Sequence, residues 1–477
     1  MRIIVIGGDA AGMSAAAQAR KRRKADDLEV IAFERGEFTS YSACGIPYWI
    51  GGLVDGPDAL IARNPAAFAE SGITVHTGHE VTGIDLSART VTVRSADREF
   101  SEGFDELVYA AGAVPVRPKW AAGPMRGVFG MQTLGDGAAV EAWIAETSPK
   151  NAVVIGAGYI GVEMAEALLR RGLSVTLVEQ SPQPMSTIDP DMGALVAKSI
   201  EGMGITLRTG VTVQSLESRS PASGSSASGS SASGSLASGS SASGSDRIGA
   251  VVTDAGTLPA DLVILGLGVR PNTELAKAAG IPLGATGGLA TDLRQRVTGP
   301  SGLVEGVWAA GDCTQVLNRV SGRQVHVPLG THANKQGRVA GINLGGGYAT
   351  FPGIIGTGIT KICDLEVART GLSSKEADTA GYRYVTATVS STNRAGYMPG
   401  ADPMTVKVIA EKESGLLLGA QIVGKAEAAK RIDAFAVAVW NRMTVTEMTA
   451  LDLGYAPPFA PVWDPVLIAA RKADEAL

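Results

Sequence analysis

Cysteine is rare in this sequence. Three thiols, Cys44, Cys313 and Cys363, are spread over 477 residues. Spacing that wide excludes the dense disulfide framework of a small secreted protein and points to a reducing cytoplasm. Long apolar runs are missing too, and none reaches the ~18 residues of a membrane-spanning helix. The opening MRIIVIGG stops being apolar after Ile6 and lacks a small-residue cleavage site, so it reads as a strand rather than a signal peptide. There is no excess of basic charge. The formal net charge is −5, which argues against a nucleic-acid partner. Aromatic residues make up only 5%, yet apolar residues reach 45%, ample for packed cores.

Glycine, by contrast, is plentiful at 61 residues, and its placement matters. The length suggests about three domains of roughly 150 residues each. RIIVIGG reads as a strand and turn, followed by a helix from about Ala11 to Arg23. LEVIAFE is the next strand, ending at Glu34. The order restarts with NAVVIGAG, a helix to Arg171 capped by Gly172, and the strand SVTLVE ending at Glu179. Two such openings imply βαβ units, parallel sheets and right-handed crossovers.

Beyond Phe351 the pattern changes. YRYVTATV, PMTVKVIAEK and GLLLGAQIVG read as an antiparallel meander. The helix AKRIDAFAVAVWNRM that follows is apolar all round and expected in a subunit interface. Between Pro221 and Ser245 runs a Ser/Gly/Ala repeat that cannot bury enough apolar surface to offset its ordering entropy. It is expected as a disordered loop joining TVQSLES to IGAVVT.

Gly156, Gly158 and Gly161 form G-x-G-x-x-G between a strand and a helix. The first permits the tight turn, the second lets backbone approach a pyrophosphate, and the third allows close helix packing. A carboxylate at Glu179 suits adenosine ribose hydroxyls and repels a 2′-phosphate, favouring NADH over NADPH. The first cluster is looser. Gly7 and Gly12 hold the outer places, but Asp9 stands where the middle glycine belongs. Glu34 supports this cluster by the same ribose argument. A carboxylate at Asp9 is unfavourable beside a pyrophosphate unless it points away.

Ala111-Gly112 in LVYAAGAVPVRP and Gly311-Asp312 in EGVWAAGDCTQV each follow a strand. With PLGTHANKQGRVAG from Pro328, they resemble segments of two-dinucleotide-binding flavoproteins, in which the Asp binds the flavin ribityl chain. The resemblance spans nearly the whole chain apart from the repeat. It implies an α/β protein with two Rossmann-like dinucleotide-binding domains plus a C-terminal α+β dimerisation domain. Residues 1–118 and 285–344 would bind FAD, through Gly7, Gly12, Glu34, Gly112 and Asp312. Residues 119–284, carrying the insert 220–245, would bind NADH or NADPH, through Gly156, Gly158, Gly161, Glu163 and Glu179. Residues 345–477 would form a homodimer.

The segment SYSACGIPYWIGG frames Cys44. A helix starting there would hold Pro47 in its first turn. The thiol would then sit at the positive end of a helix dipole, which lowers its pKa. A structural cysteine is the alternative reading. The segment is similar to the active-site stretch of coenzyme A-disulfide reductases, the single-cysteine branch of the pyridine nucleotide-disulfide oxidoreductases. No second cysteine is near, so the thiol must cycle with an external sulfur or as a sulfenic acid. Ala10 stands where the branch's peroxidases carry a histidine. The resemblance also nominates Tyr455 as a proton donor to the partner's active site, with Tyr397 as a second candidate. It places Ser14, Gln18 and His332 at the substrate and Glu163 beside the nicotinamide. The basic run Arg20–Lys24 could meet coenzyme A phosphates or simply be solvated. Two positions depart from the branch: Ala43 replaces an Asn, and Trp463 a Lys.

The expected activity is NAD(P)H-dependent, FAD-mediated reduction of a low-molecular-weight disulfide such as coenzyme A disulfide. An NADH oxidase or persulfide reductase using the same cysteine is the alternative, as is a flavin electron-transfer partner without turnover. Cys313 is expected to pack structurally and Cys363 to lie in a strand core. His76 and His79 receive no role, and no metal site is expected.

Overall fold

Runs of apolar residues such as Ile3-Ile4-Val5, fully buried, demand cover on both faces of a strand. The fold meets that demand with parallel sheets flanked by helices. The computed structural model describes residues 1–219 and 247–477, so the expected Ser/Gly/Ala loop lies outside the described residues. The first sheet runs Arg296–Gly299, Gly302–Ala309, Glu106–Tyr109, Arg2–Ile6, Glu29–Phe33, Thr74–His76. Every neighbouring pair is parallel except Arg296–Gly299 with Gly302–Ala309. The helix after the first turn spans Ala10–Arg20. It stops short of the expected Arg23 because Arg22 N–H bonds Ala19 O in a tighter turn.

A second, all-parallel sheet runs Thr206–Thr209, Ser174–Glu179, Asn151–Ile155, Leu262–Leu265, Val128–Gly130. The flanking helix Tyr159–Arg170 is followed by Gly172 at φ +80, the stop signal read from the sequence. TVQSLES and IGAVVT pair as antiparallel strands, Val213–Ser218 with Ile248–Thr253.

The third unit is the anticipated meander, Tyr384–Thr392, Pro403–Glu411 and Leu417–Gly424, extended by Leu365–Gly371 and Gly358–Ile362. Cys363 corrects the strand-core expectation. It sits at φ +51 in the turn between the last two strands, half-buried. The helix Ile432–Trp440 buries Ile432, Phe435, Ala438 and Val439 but leaves Val437 and Trp440 exposed. Tyr397, Phe459, Val462 and Trp463 are exposed on the same unit. Lys407 reaches from the meander to the second unit, lying 2.9 Å from Asp189 and 2.8 Å from Asp191. Among the described residues no helix is long and apolar enough to cross a membrane.

Candidate active site at two glycine turns and Cys44

The two glycine turns are built alike. Gly7 and Gly156 stand at φ +104 and +99, and a Cβ on either would strike the carbonyl oxygen of Ala110 or Gly266. A Cβ on Gly12 or Gly161 would strike the carbonyl of Gly7 or Gly156 in its own turn. The strand-end carboxylates repeat as well. Glu34 accepts from Gly8 N–H at 2.8 Å and Gly36 N–H at 2.7 Å. Glu179 accepts from Ala157 N–H and Ser181 N–H, both at 2.7 Å. In the second turn nothing lies within 4 Å of where a Gly158 side chain would begin.

Near the first turn, Gly112 stands at φ +68 with open space on its side-chain face. The Asp312 carboxyl is pushed up to about 6 by burial, with His326 opposing the rise. Among the described residues no hydrogen-bond donor reaches that carboxylate. A glycine cradle, a pinned carboxylate and a half-buried carboxylate without a donor are the set that fits a flavin dinucleotide with its pyrophosphate and hydroxylated chain. The second turn with Glu179 fits a second dinucleotide. Among the described residues no group of three His, Cys, Asp or Glu could hold a metal ion.

Cys44 lies in the short turn Ala43–Gly45, and the helix that follows, Ile46–Ile50, carries Pro47 in its first turn. The expected lowering of the thiol's pKa is corrected here. The residue is exposed as a whole. Its thiol is nevertheless pushed up, first by the protein packed around it, then by the negative charge of Glu163, Asp312 and Asp9. A five-residue helix offers too small a dipole to offset those carboxylates.

Glu163 is pushed up to about 7 by burial, while a hydrogen bond from Thr360 favours its charged form and Glu166 opposes it. Thr360 Oγ1 donates to Glu163 Oε1 at 2.7 Å, and Cys363 N–H donates to Glu166 Oε2 at 2.7 Å. Pro47 and Tyr48 share a small pocket with Glu163, Glu166 and Arg170, so the cysteine helix faces the second unit here. Nothing in the sequence pointed to Thr360, whose partner is far away along the chain.

Ser14 Oγ donates to Asn334 Oδ1 at 2.8 Å, and Arg22 donates to Gln18 Oε1 at 2.7 Å. His332, in the first turn of the helix Gly330–Leu344, has its pKa lowered by burial. The fold thus gathers Ser14, Gln18 and His332 on two packed helices and adds Arg22 and Asn334. Tyr455 and Tyr397 are not drawn in. They are 49% and 76% exposed, and neither hydroxyl hydrogen-bonds to a described residue. Cys313 is fully buried, with its sulfur near the carbonyls of Tyr109 and Ala310.

A lone thiol beside two dinucleotide cradles defines the class of oxidoreductase that moves electrons between a nicotinamide, a flavin and sulfur. The model "Pyridine nucleotide-disulphide oxidoreductase" matches residues 1–337, and that family's dimerisation domain matches 358–465. The chain belongs to the pyridine nucleotide-disulphide oxidoreductase family. It is 36% identical over 471 residues to the NAD(P)H sulfur oxidoreductase (CoA-dependent) of Pyrococcus abyssi, covering 98% of this chain and 97% of that one. It is 30% identical over 476 residues to the coenzyme A disulfide reductase of Staphylococcus epidermidis, covering 99% of each. The NAD-dependent persulfide reductase from A. fulgidus superposes with a TM-score of 0.90 at 35% identity, covering 100% of this chain and 83% of that one. Family membership implies an enzyme that binds FAD and NAD(P)H, with a dimerisation domain at its C-terminal end.

Proposed function

We propose that this protein is a homodimeric, cytoplasmic NADH-dependent reductase of a low-molecular-weight disulfide, with coenzyme A disulfide as the first candidate. The observation that carries the reading is the exposed thiol of Cys44, held between a loop hydrogen-bonded to the first glycine turn through Ser40 N–H and Gly8 O and a helix that shares a pocket with Glu163 of the second glycine-turn helix. In this reading residues 1–118 and 285–344 hold FAD, with Glu34 at the adenosine ribose, Asp312 at the ribityl chain and Gly112 giving room. Residues 119–284 hold the nicotinamide cofactor on the turn Gly156–Gly161. Glu179 accepts ribose hydroxyls there and repels a 2′-phosphate, which favours NADH. When bound, FAD takes a hydride from the nicotinamide and supplies an electron pair to sulfur.

The chain's own part is thiol chemistry. The thiolate of Cys44 attacks one sulfur of the disulfide RSSR, forming Cys44–SR and expelling RS⁻. Tyr455 of the partner subunit, with Tyr397 as second candidate, protonates that leaving group. Two-electron reduction of Cys44–SR by the bound cofactors would release a second RS⁻ and restore the Cys44 thiolate. Glu163, whose carboxyl is pushed up to about 7 by burial, orients the nicotinamide. The balance is NADH + H⁺ + RSSR giving NAD⁺ + 2 RSH. Ser14, Gln18 and His332 line the approach for the thiol carrier, with Arg22 available to its phosphates.

Anaerobic titration with NADH tests this reading. Uptake of more electrons than flavin alone can hold would support a redox sulfur at Cys44. A Cys44→Ser variant with full disulfide reductase activity would refute it. Rapid oxygen consumption without turnover of coenzyme A disulfide would favour an oxidase instead.

A further inference from the structure

Asp9 occupies the place in the first glycine turn that Gly158 occupies in the second. Its backbone is extended at φ −114, as is that of Gly158 at φ −80, so a side chain here brings no backbone strain. Where Gly158 leaves open space, Asp9 turns aside, and its Oδ1 accepts from Tyr41 N–H at 3.1 Å. The neighbouring residues are fastened to the same turn. Ser40 N–H donates to Gly8 O at 3.1 Å, and the buried Thr39 donates its hydroxyl to that same carbonyl. Cys44 follows directly in the chain, in a turn closed by Gly45 N–H on Ser42 O at 2.9 Å.

We propose that Asp9 is a positioning residue, whose carboxylate clamps the loop 39–45 onto the first glycine turn through the Tyr41 amide and so fixes where the Cys44 sulfur stands. This rests on Cys44 being the reacting thiol. The clamp accounts for a carboxylate in a turn that otherwise calls for glycine. An acid facing a pyrophosphate would be repelled, whereas one spent on a backbone N–H of the cysteine loop ties that loop to the cradle. Two further observations agree. Burial pushes Asp9 up to about 6, Glu34 and Asp312 add to the rise, and the amides of Tyr41 and Ala10 oppose it. Asp9 is also one of three carboxylates, with Glu163 and Asp312, whose charge raises the Cys44 thiol.

The hydrogen bond and the charge separate experimentally. Asp9→Asn keeps an acceptor for Tyr41 N–H and removes the charge, while Asp9→Ala removes both. Two measurements on the flavin-loaded enzyme are compared. One is kcat and KM with NADH and coenzyme A disulfide. The other is the pH dependence of Cys44 alkylation by iodoacetamide, located by peptide mass spectrometry, which reads the thiol without turnover. Asp9→Ala is expected to lose about 10- to 100-fold in kcat, the scale for a misplaced reacting group, with KM for NADH unchanged. Asp9→Asn is expected to restore most of that loss and to move the alkylation midpoint to lower pH. Wild-type kinetics and alkylation in Asp9→Ala would overturn the proposal. So would an Asp9→Asn variant as defective as Asp9→Ala, or one with an unmoved midpoint. Should Asp9→Ala not fold, Asp9→Gly, the residue of the matching turn, takes its place. If Cys44→Ser kept full activity, the redox reading would fall, while the alkylation comparison would still decide the Asp9 clamp.

Discussion

Thr360 donates its hydroxyl to Oε1 of Glu163 at 2.7 Å, joining the first strand of the C-terminal sheet to the helix of the second glycine turn. That bond favours the ionised carboxylate, against burial and against Glu166. The folded Glu163 exchanges its proton at about 7, above the ordinary 4.5. Between those values the folded chain keeps a proton that the unfolded chain has lost. Stability therefore falls as pH rises through that window and is level on either side of it. Glu163→Gln is expected to remove this part of the pH dependence, read as melting temperature against pH. Thr360→Val takes away the opposing hydrogen bond and should extend the falling region to higher pH. An unchanged profile in both variants would contradict the coupling.

Glu179 binds its own turn through Ala157 N–H and Ser181 N–H. Residues 180–183 read Gln-Ser-Pro-Gln and offer no cation for a 2′-phosphate. Glu179→Ala should lower kcat/KM for NADH and shift the NADPH-to-NADH ratio upward by about 10-fold or more, the scale for removing a discriminating polar group. Steady-state kinetics with both cofactors checks this.

Lys407 is nearly buried between Asp189 and Asp191, at 2.9 and 2.8 Å. Burial pushes Asp189 up, but Ser374 and Lys407 outweigh it and hold the carboxyl below its ordinary value. Lys407→Met leaves that carboxylate under-partnered, a change that costs on the order of 3–5 kcal/mol in buried pairs. A clear drop in melting temperature is expected, partly recovered when Asp189→Asn is added.

Phe459 is 72% exposed in the single chain, beside exposed Val462 and Trp463. Apolar area of that kind marks an interface. Phe459→Asp should convert the dimer to monomer in light scattering. Disulfide reductase activity should fall with it if Tyr455 acts across the interface. Full activity in a monomer would remove Tyr455 from the proposed chemistry.

The two βαβ openings, the meander and the lone cysteine were legible in the sequence because each is written locally. Glycine spacing imposes a turn, apolar alternation imposes a strand, and a carboxylate ending a strand falls beside the turn whichever way the rest folds. Other features were not legible. Asp9 looked misplaced until its partner proved to be the Tyr41 amide. Cys363 read as strand core but lies in a turn, because its apolar neighbours belong to the two flanking strands. Thr360 gave no signal at all.

Chain order by itself nominated the residues to meet a nucleotide and the thiol to react, since both nominations depend on short-range backbone geometry. The tertiary fold alone settled how readily those groups ionise. Proton affinity at Cys44, Glu163 and Asp312 follows from water excluded and charges brought close by elements distant along the chain, and a sequence motif holds no measure of either.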